Sequence, residues 1–317
     1  MPVIDYESVK DPAGATFPQG NGQLTATWDE LLWAALTVGR RNIHFVFEHG
    51  DASFFEAMFR LSLMRSALEQ SGPAGHRLRR TAAFKAMDPS EKGAVSYFLG
   101  LNIAKLFAYR LLDVPWLMHL DVYRPELDVT LKERSRPDLV GQDLAGAWLV
   151  LESKGRSSAP DAKAKERAKQ QARRLVSIGG TKPTWAAGAI TYLSNEVLRF
   201  YWEDPQPPAG RLIRLPDDPS VWRYHYLPLL GLVRSAPDGV GIASSGGLVS
   251  IREADVQVGV HPRVLEALLE GRWEDARTVA RETRFQAPYM ADGLAVVAGR
   301  SWSERYADPG APRRRQG

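Results

Sequence analysis

The strongest constraint on this chain is a change of hydrophobic period at Pro115. Upstream, Asp88-Pro89-Ser90-Glu91 carries a helix start: a capping acid, a proline whose missing N–H costs nothing there, and an acid three residues after the cap. The stripe Val95, Phe98, Leu99, Ile103, Leu106 and Phe107 then carries one long helix to about Leu112. Downstream the pattern predicts strands at 116–123, 127–132, 138–142 and 147–154, the last two joined by the turn Asp143-Leu144-Ala145-Gly146. Residues 159–178 read as helix, rich in Ala, Lys, Gln and Arg and stopped by Gly179-Gly180. Strand character returns at 185–193 and 197–202. Helix, strands, helix, strand calls for helices packed on a sheet, so the fold class is α/β or α+β with a central mixed sheet flanked by helices.

On either side the chain reads differently. Residues 1–24 lack periodicity and contain Pro and Gly, which predicts an irregular arm. A helix starts at Thr27-Trp28-Asp29-Glu30, a short strand fits 43–47, and 51–70 is helical by pattern, so the N-terminal extension is expected to be helical. The Gly- and Ser-rich stretch 236–247 leads into a small α/β C-terminal extension: strands at 248–252 and 256–260, short helices at 262–270 and 273–282, then a tail ending in Arg313-Arg314-Arg315. The expected division is 1–87, 88–235 and 236–317.

Composition narrows the function. The 317 residues contain no cysteine, which excludes a disulfide framework, a thiolate zinc site and a cysteine nucleophile. The net charge of +4 permits an anionic partner without demanding one. No apolar run approaches the roughly 20 residues of a membrane span, and the first residues carry two acids and no apolar core, so no membrane association and a cytoplasmic location are expected. The phosphate loop G-x-x-x-x-G-K-[ST] and the esterase elbow G-x-S-x-G are both absent.

The chemistry concentrates in Arg136-Pro137-Asp138-Leu139-Val140 and in Glu152-Ser153-Lys154-Gly155 at the end of an apolar strand. Alternate side chains of a strand share a face, so Glu152 and Lys154 point the same way. If the two strands pair across residues 143–146, Asp138 sits beside them. Two converging carboxylates suit a hard divalent cation such as Mg²⁺, which keeps several waters and is completed by substrate phosphate. A lysine beside it holds a water or stabilises charge developing on a phosphate. A surface hairpin with an ordinary Glu–Lys pair is the alternative.

Pro137-Asp138 followed by Glu152-Ser153-Lys154, set in that order of elements, resembles the PD-(D/E)XK nuclease superfamily, over about 110 residues. The resemblance implies a restriction-endonuclease-like core and Mg²⁺- or Mn²⁺-dependent hydrolysis of nucleic-acid phosphodiesters, DNA before RNA, in restriction, phage defence or repair. It assigns metal binding to Asp138 and Glu152 and assistance of the attacking water to Lys154. A Gln on the following helix often helps to order such a site. The stripe Ala164, Ala168, Leu175 and Ile178 selects Gln171 over Gln170, which is turned about 100° away. Some members add a Glu from the helix before the sheet. Here Asn102 stands where that acid is expected, as an accessory oxygen donor. Arg136, Arg156, Lys163 and Lys169 are candidates to touch phosphate. Cutting both strands would favour a homodimer, and a partner subunit is the other expectation. A catalytically inactive nucleic-acid-binding or scaffold protein with the same fold is the alternative.

Two further groups are weaker. His44, Glu48 and His49 match no standard metal spacing. Trp222-Arg223-Tyr224-His225-Tyr226 mixes aromatic and basic groups able to stack bases, and fits a packed edge better.

Overall fold

A computed structural model describes residues 1–10, 16–38, 52–70, 76–123, 136–204, 213–235 and 247–304. The expected strands at 43–47 and 127–132, the residues His44, Glu48 and His49, and the basic tail lie outside them. The long helix forms as its signals predict. Helix α4 (Pro89–Leu112) starts at a complete capping box, in which the Asp88 carboxylate accepts from the Ser90 and Glu91 N–H groups and Glu91 accepts from the Asp88 N–H. It ends at Asp113, held in the left-handed region at φ 53°. Before it come α1 (Trp28–Thr37), capped by Thr27 and Glu30, α2 (Ala52–Ala67) and the short α3 (Ala82–Ala86).

The strands build one mixed sheet. Its path is β2 (Gly20–Thr25), β1 (Val3–Lys10), β10 (Val197–Asp204), β9 (Trp185–Ser194), β7 (Trp148–Arg156), β6 (Leu139–Gln142) and β5 (Trp116–His119), with the pair β3 (Leu68–Gln70) and β4 (Leu78–Arg80) joined to β10. β1 runs parallel to β10 and β7 parallel to β9, and the other pairs are antiparallel.

Four expectations need correction. Residues 1–24 are not an irregular arm: β1 and β2 are strands of the central sheet. Only Ile4 and Ser8 of β1 are buried, and β2 only buries Leu24, so neither strand shows the apolar alternation that would reveal it. The helix expected over 159–178 is shorter. Asp161 caps it by accepting from the Ala164 N–H, and α5 runs Ala162–Ala172. Leu175 and Ile178 then belong to β8 (Leu175–Ile178), which pairs with β11 (Ile213–Leu215) and buries both of them there. The helix at 51–70 yields its last three residues to β3. The strand at 116–123 stops at His119 and becomes a 3₁₀ turn, Leu120–Tyr123.

Helices lie on both faces, and glycines set how close they come. α4 crosses β7 with almost no space between backbones: a Cβ on Gly155 would sit 1.5 Å from the Ser96 carbonyl oxygen, and one on Gly100 would sit 2.8 Å from the Gly155 nitrogen. α5 packs on the opposite face, where a Cβ on Gly188 would lie 2.8 Å from the Ala168 and Lys169 backbone. The C-terminal residues form α6 (Arg223–Ser235), the antiparallel sheet β12 (Leu248–Ile251), β13 (Val256–Val260) and β14 (Leu294–Ala298), and the helices α7 (Pro262–Leu269) and α8 (Trp273–Thr283). Ala168 of α5 belongs to a small cluster with Ile190 and Tyr201, while one large apolar cluster runs from Ile4 to Trp302 and takes in the C-terminal elements. The aromatic segment 222–226 is inside it, with Trp222, Tyr224, His225 and Tyr226 all buried. Among the described residues no helix is long and apolar enough to cross a membrane.

Candidate active site

β6 and β7 pair antiparallel with Leu139 opposite Leu151. One further step sets Asp138 against Glu152. Directly opposed residues of such a pair share a face, with Cβ atoms about 4.5–5.5 Å apart. Two hydrogen bonds hold Asp138 in place: its N–H donates to the Leu151 carbonyl at 3.1 Å, and its carboxylate accepts from the Ser153 N–H at 3.0 Å. Its own carbonyl accepts from Leu120 N–H at 2.7 Å, so the 3₁₀ turn after β5 braces it from the other side. Alternation along β7 puts Lys154 on the face of Glu152, and the two side chains form an ion pair.

The pair of acids is closed in. Glu152 has no exposed surface, and its Oε2 has no hydrogen-bond partner among the described residues. Lys154 is 38% exposed, so the lysine forms the entrance. Burial, reinforced by the nearby Asp138 charge, pushes Glu152 up to about 8, and Lys154 opposes this only in part. Burial also raises Asp138 to about 6, against the pull of Lys154 and the Ser153 N–H. Burial and the neighbouring acid thus both disfavour the charged form of Glu152, and Lys154 favours it. Two buried carboxylates with one lysine lack positive charge, which is the condition a bound cation relieves.

A third acid, Asp121, stands close by. It sits on the 3₁₀ turn after β5, is buried, and adds to the upward push on Asp138. Arg136 holds its Oδ1, and His119 Nδ1 lies 3.6 Å from its Oδ2. The sequence hid Asp121 because residues 116–123 read as one continuous strand. The only signal for it was an acid two residues after a histidine at the strand's end. Among the described residues no group of three or more His, Asp or Glu side chains gathers as a metal site. Asp138 and Glu152 are the two acids the sheet register brings together, and such a pair could hold a hard cation such as Mg²⁺, which keeps most of its water.

The other expected residues divide. Gln171 lies in the last turn of α5, on the helix that covers the Glu152 face of the sheet, because Gly188 pairs with Glu152 and faces Ala168. It is half-buried and makes no side-chain hydrogen bond to a described residue, while Gln170 is exposed and donates to Glu166. Asn102 is not brought to the pair. It belongs to α4 on the opposite face of the sheet, fully buried, with Nδ2 donating to Met64 Sδ at 2.8 Å. Arg136 is committed to Asp121 and shapes the wall of the site. Lys169 is committed to Glu203 at 2.8 Å and lies 3.6 Å from Glu166, so it is an internal counter-charge on α5. Lys163 is exposed, and Arg156 is half-buried on the Glu152 face.

Comparison with protein-family models, with curated proteins and with solved structures finds no match to this chain. What it does must be read from the chemistry of these side chains.

Proposed function

We propose that the chain is a divalent-metal-dependent nuclease of the PD-(D/E)XK type, built on a restriction-endonuclease-like core, which hydrolyses nucleic-acid phosphodiester bonds, DNA before RNA. The observation that carries this is the convergence of Asp138 and Glu152, buried and short of positive charge, with Lys154 in contact with Glu152 at the entrance. The succession α4, β5, β6, β7, α5, β9 supports it once β8, which pairs with β11 outside the central sheet, is set aside, because it gives the helix, three strands, helix and strand that the resemblance implies.

Each residue then has a stated task. Asp138 and Glu152 would hold Mg²⁺ or Mn²⁺, which supplies Lewis acidity toward a phosphate oxygen and lowers the pKa of a bound water. Glu152 has to give up its proton before it can serve as a ligand, which couples occupancy to pH. The Lys154 ammonium, carried on a partly exposed stem, would hold the attacking water or stabilise charge growing on the phosphate. Gln171, half-buried and without a side-chain hydrogen bond to a described residue, can orient a water from the α5 side.

The test is incubation of purified protein with linear, circular and single-stranded DNA and with RNA, with Mg²⁺, with Mn²⁺ and with a chelator. Metal-dependent cleavage that Asp138→Asn abolishes supports the reading. Intact substrates under every condition, with tight binding retained, favour a binding protein that keeps the fold without turnover. The ion pair that closes over a fully buried Glu152 is the feature consistent with that second reading.

A further inference from the structure

The register of the central sheet lines up side chains from five strands in single rows. Arg156 of β7 pairs with Tyr192 of β9, Tyr192 with Arg199 of β10, Arg199 with Asp5 of β1, and Asp5 with Gln23 of β2. Paired residues share a face, so this row lies on the face of Glu152 and Lys154, one step beyond the row in which Lys154 pairs with Ile190 and Ile190 with Tyr201. α5 covers that inner row through Ala168, which packs with Ile190 and Tyr201. The outer row, Arg156, Tyr192 and Arg199, is half-buried rather than sealed.

Tyr192 packs at the edge of the Ala168, Ile190 and Tyr201 cluster, while the two arginines that flank it in the row are not employed in the same way. Arg156 and Arg199 make no hydrogen bond or ion pair with any described residue, and Arg199 Nε is shut away from water with no partner among them. Buried polar groups are normally satisfied, and an arginine left without an acceptor is costly. Its neighbour in the row does not serve: Asp5 Oδ1 already accepts from Gln23 at 2.8 Å and from Arg77 at 3.3 Å. Tyr192 lies between Arg156 and Arg199 in the register of the row, its hydroxyl within the field of Arg199 and of the Glu7 and Asp5 carboxylates.

We infer that Arg156, Tyr192 and Arg199 form a track for the nucleic-acid strand that flanks the scissile phosphate, the two arginines taking phosphates and the tyrosine ring stacking on a base. This rests on the nuclease reading and extends it by naming where the substrate lies. Arg156 and Arg199 are two strands apart, about 10 Å at the usual strand spacing. That covers about three nucleotides at the ~3.4 Å rise of a stacked strand. The track ends at β10, because β1 presents Asp5 and Glu7 on the same face and these repel phosphate. Basic groups with an interleaved aromatic ring bind a single strand with little regard for sequence, so the occupant is a single strand or the frayed end of a duplex.

The experiment is fluorescence anisotropy of a labelled single-stranded DNA in chelator, so that binding is read without cleavage. The variants are Arg199→Gln, Arg156→Gln, Tyr192→Ala and Tyr192→Phe, with Arg263→Gln on the remote α7 as control and circular dichroism to verify folding. Tyr192→Ala should weaken binding roughly 5- to 100-fold, as loss of a stacking platform does, while Tyr192→Phe keeps it. Each arginine variant should reduce the slope of log affinity against log salt by about 0.7. If the wild type binds and the track variants bind equally well, the track is wrong while the nuclease reading survives. If the variants lose binding but the wild type cuts nothing with Mg²⁺ or Mn²⁺, the track stands and the nuclease reading falls. A wild type that binds no DNA overturns the track.

Discussion

The Asp292 carboxylate accepts from His225 Nε2 at 2.8 Å, with both side chains fully sealed from solvent. The same oxygen accepts from Trp33 Nε1 at 2.8 Å, and Asp292 Oδ1 accepts from the Leu294 N–H at 3.0 Å. One buried acid thus ties α1, α6 and the approach to β14 together. Asp292→Ala leaves an indole N–H and an imidazole without their acceptor, and should cost about 1–3 kcal/mol for each donor left unsatisfied. Urea denaturation measures it, and a loss below about 1 kcal/mol would show that the three groups find other partners.

Burial and the nearby Lys105 charge lower His225 to about 4 from its ordinary 6.5. The folded protein therefore binds fewer protons there than the unfolded chain. The His225 contribution is complete above about 6.5 and is lost as the pH falls toward 4. Melting temperature should drop over this window, and His225→Asn should flatten the drop. An equal acid slope in the variant would place its cause elsewhere.

Lys105 is a second buried base and follows the same rule at higher pH. Burial, opposed by Asp292, lowers its ammonium to about 7 from 10.5, and its Nζ lies 4.6 Å from the centre of the Trp33 ring with no hydrogen-bond partner among the described residues. Stability should rise as the pH climbs from about 7 to 10 and the buried group sheds its proton. Lys105→Met should remove this rise and stabilise the protein at pH 7 by on the order of 1 kcal/mol or more, since an unsatisfied ammonium is exchanged for an apolar side chain. Denaturation midpoints at pH 7 and 9 decide it, and a destabilised methionine variant would mean that Asp292 depends on the lysine charge.

The acid pair runs the other way. Asp138 and Glu152 are raised to about 6 and about 8, so the metal-free protein binds extra protons in the folded state and loses stability as the pH rises from about 4 through 8. Asp138→Asn should relieve the crowding and raise the melting temperature at pH 8 in chelator, while abolishing cleavage and calorimetric Mg²⁺ binding. Mg²⁺ should stabilise the wild type more at pH 8 than at pH 6. Unchanged Mg²⁺ binding in Asp138→Asn would remove this residue from the site.

Lys154→Ala should slow the single-turnover chemical step by about 10²–10³-fold with Mg²⁺ affinity retained. Lys154→Arg should fall short of full rescue, because a planar guanidinium does not replace a compact ammonium. A normal single-turnover rate in Lys154→Ala would leave the lysine with a structural role only.

How much of this was legible depended on whether a residue's partner lay close along the chain. Asp138, Glu152 and Lys154 were readable because the turn at 143–146 and strand alternation fix their relation locally, and α4 was readable from its cap. β1 was not, because its pairing with β10 is decided by residues far away in the sequence and its exposed face is polar. The end of α5 was misread because Leu175 and Ile178 continue a helical stripe as well as they fill β8; the pairing with β11 decided between them. Asn102 matched a position in the sequence, but the face of β7 that α4 meets is the one turned away from Glu152. Arg199 and Tyr192 carried no motif at all, since only the sheet register aligns them with Arg156.

The pairing of β1 with β10 also bears on how the protein is made. Asp5 leaves the ribosome 194 residues ahead of its partner Arg199. At about 5–20 residues per second, β1 waits roughly 10–40 s with one side of its backbone unpaired, held only by the local hairpin with β2. A strand edge left open that long is a site for mispairing between nascent chains. Gln23, Asn21 and the glycines at 20 and 22 make β2 a poor template for such pairing, so the polar character that conceals this hairpin in the sequence also guards it during synthesis.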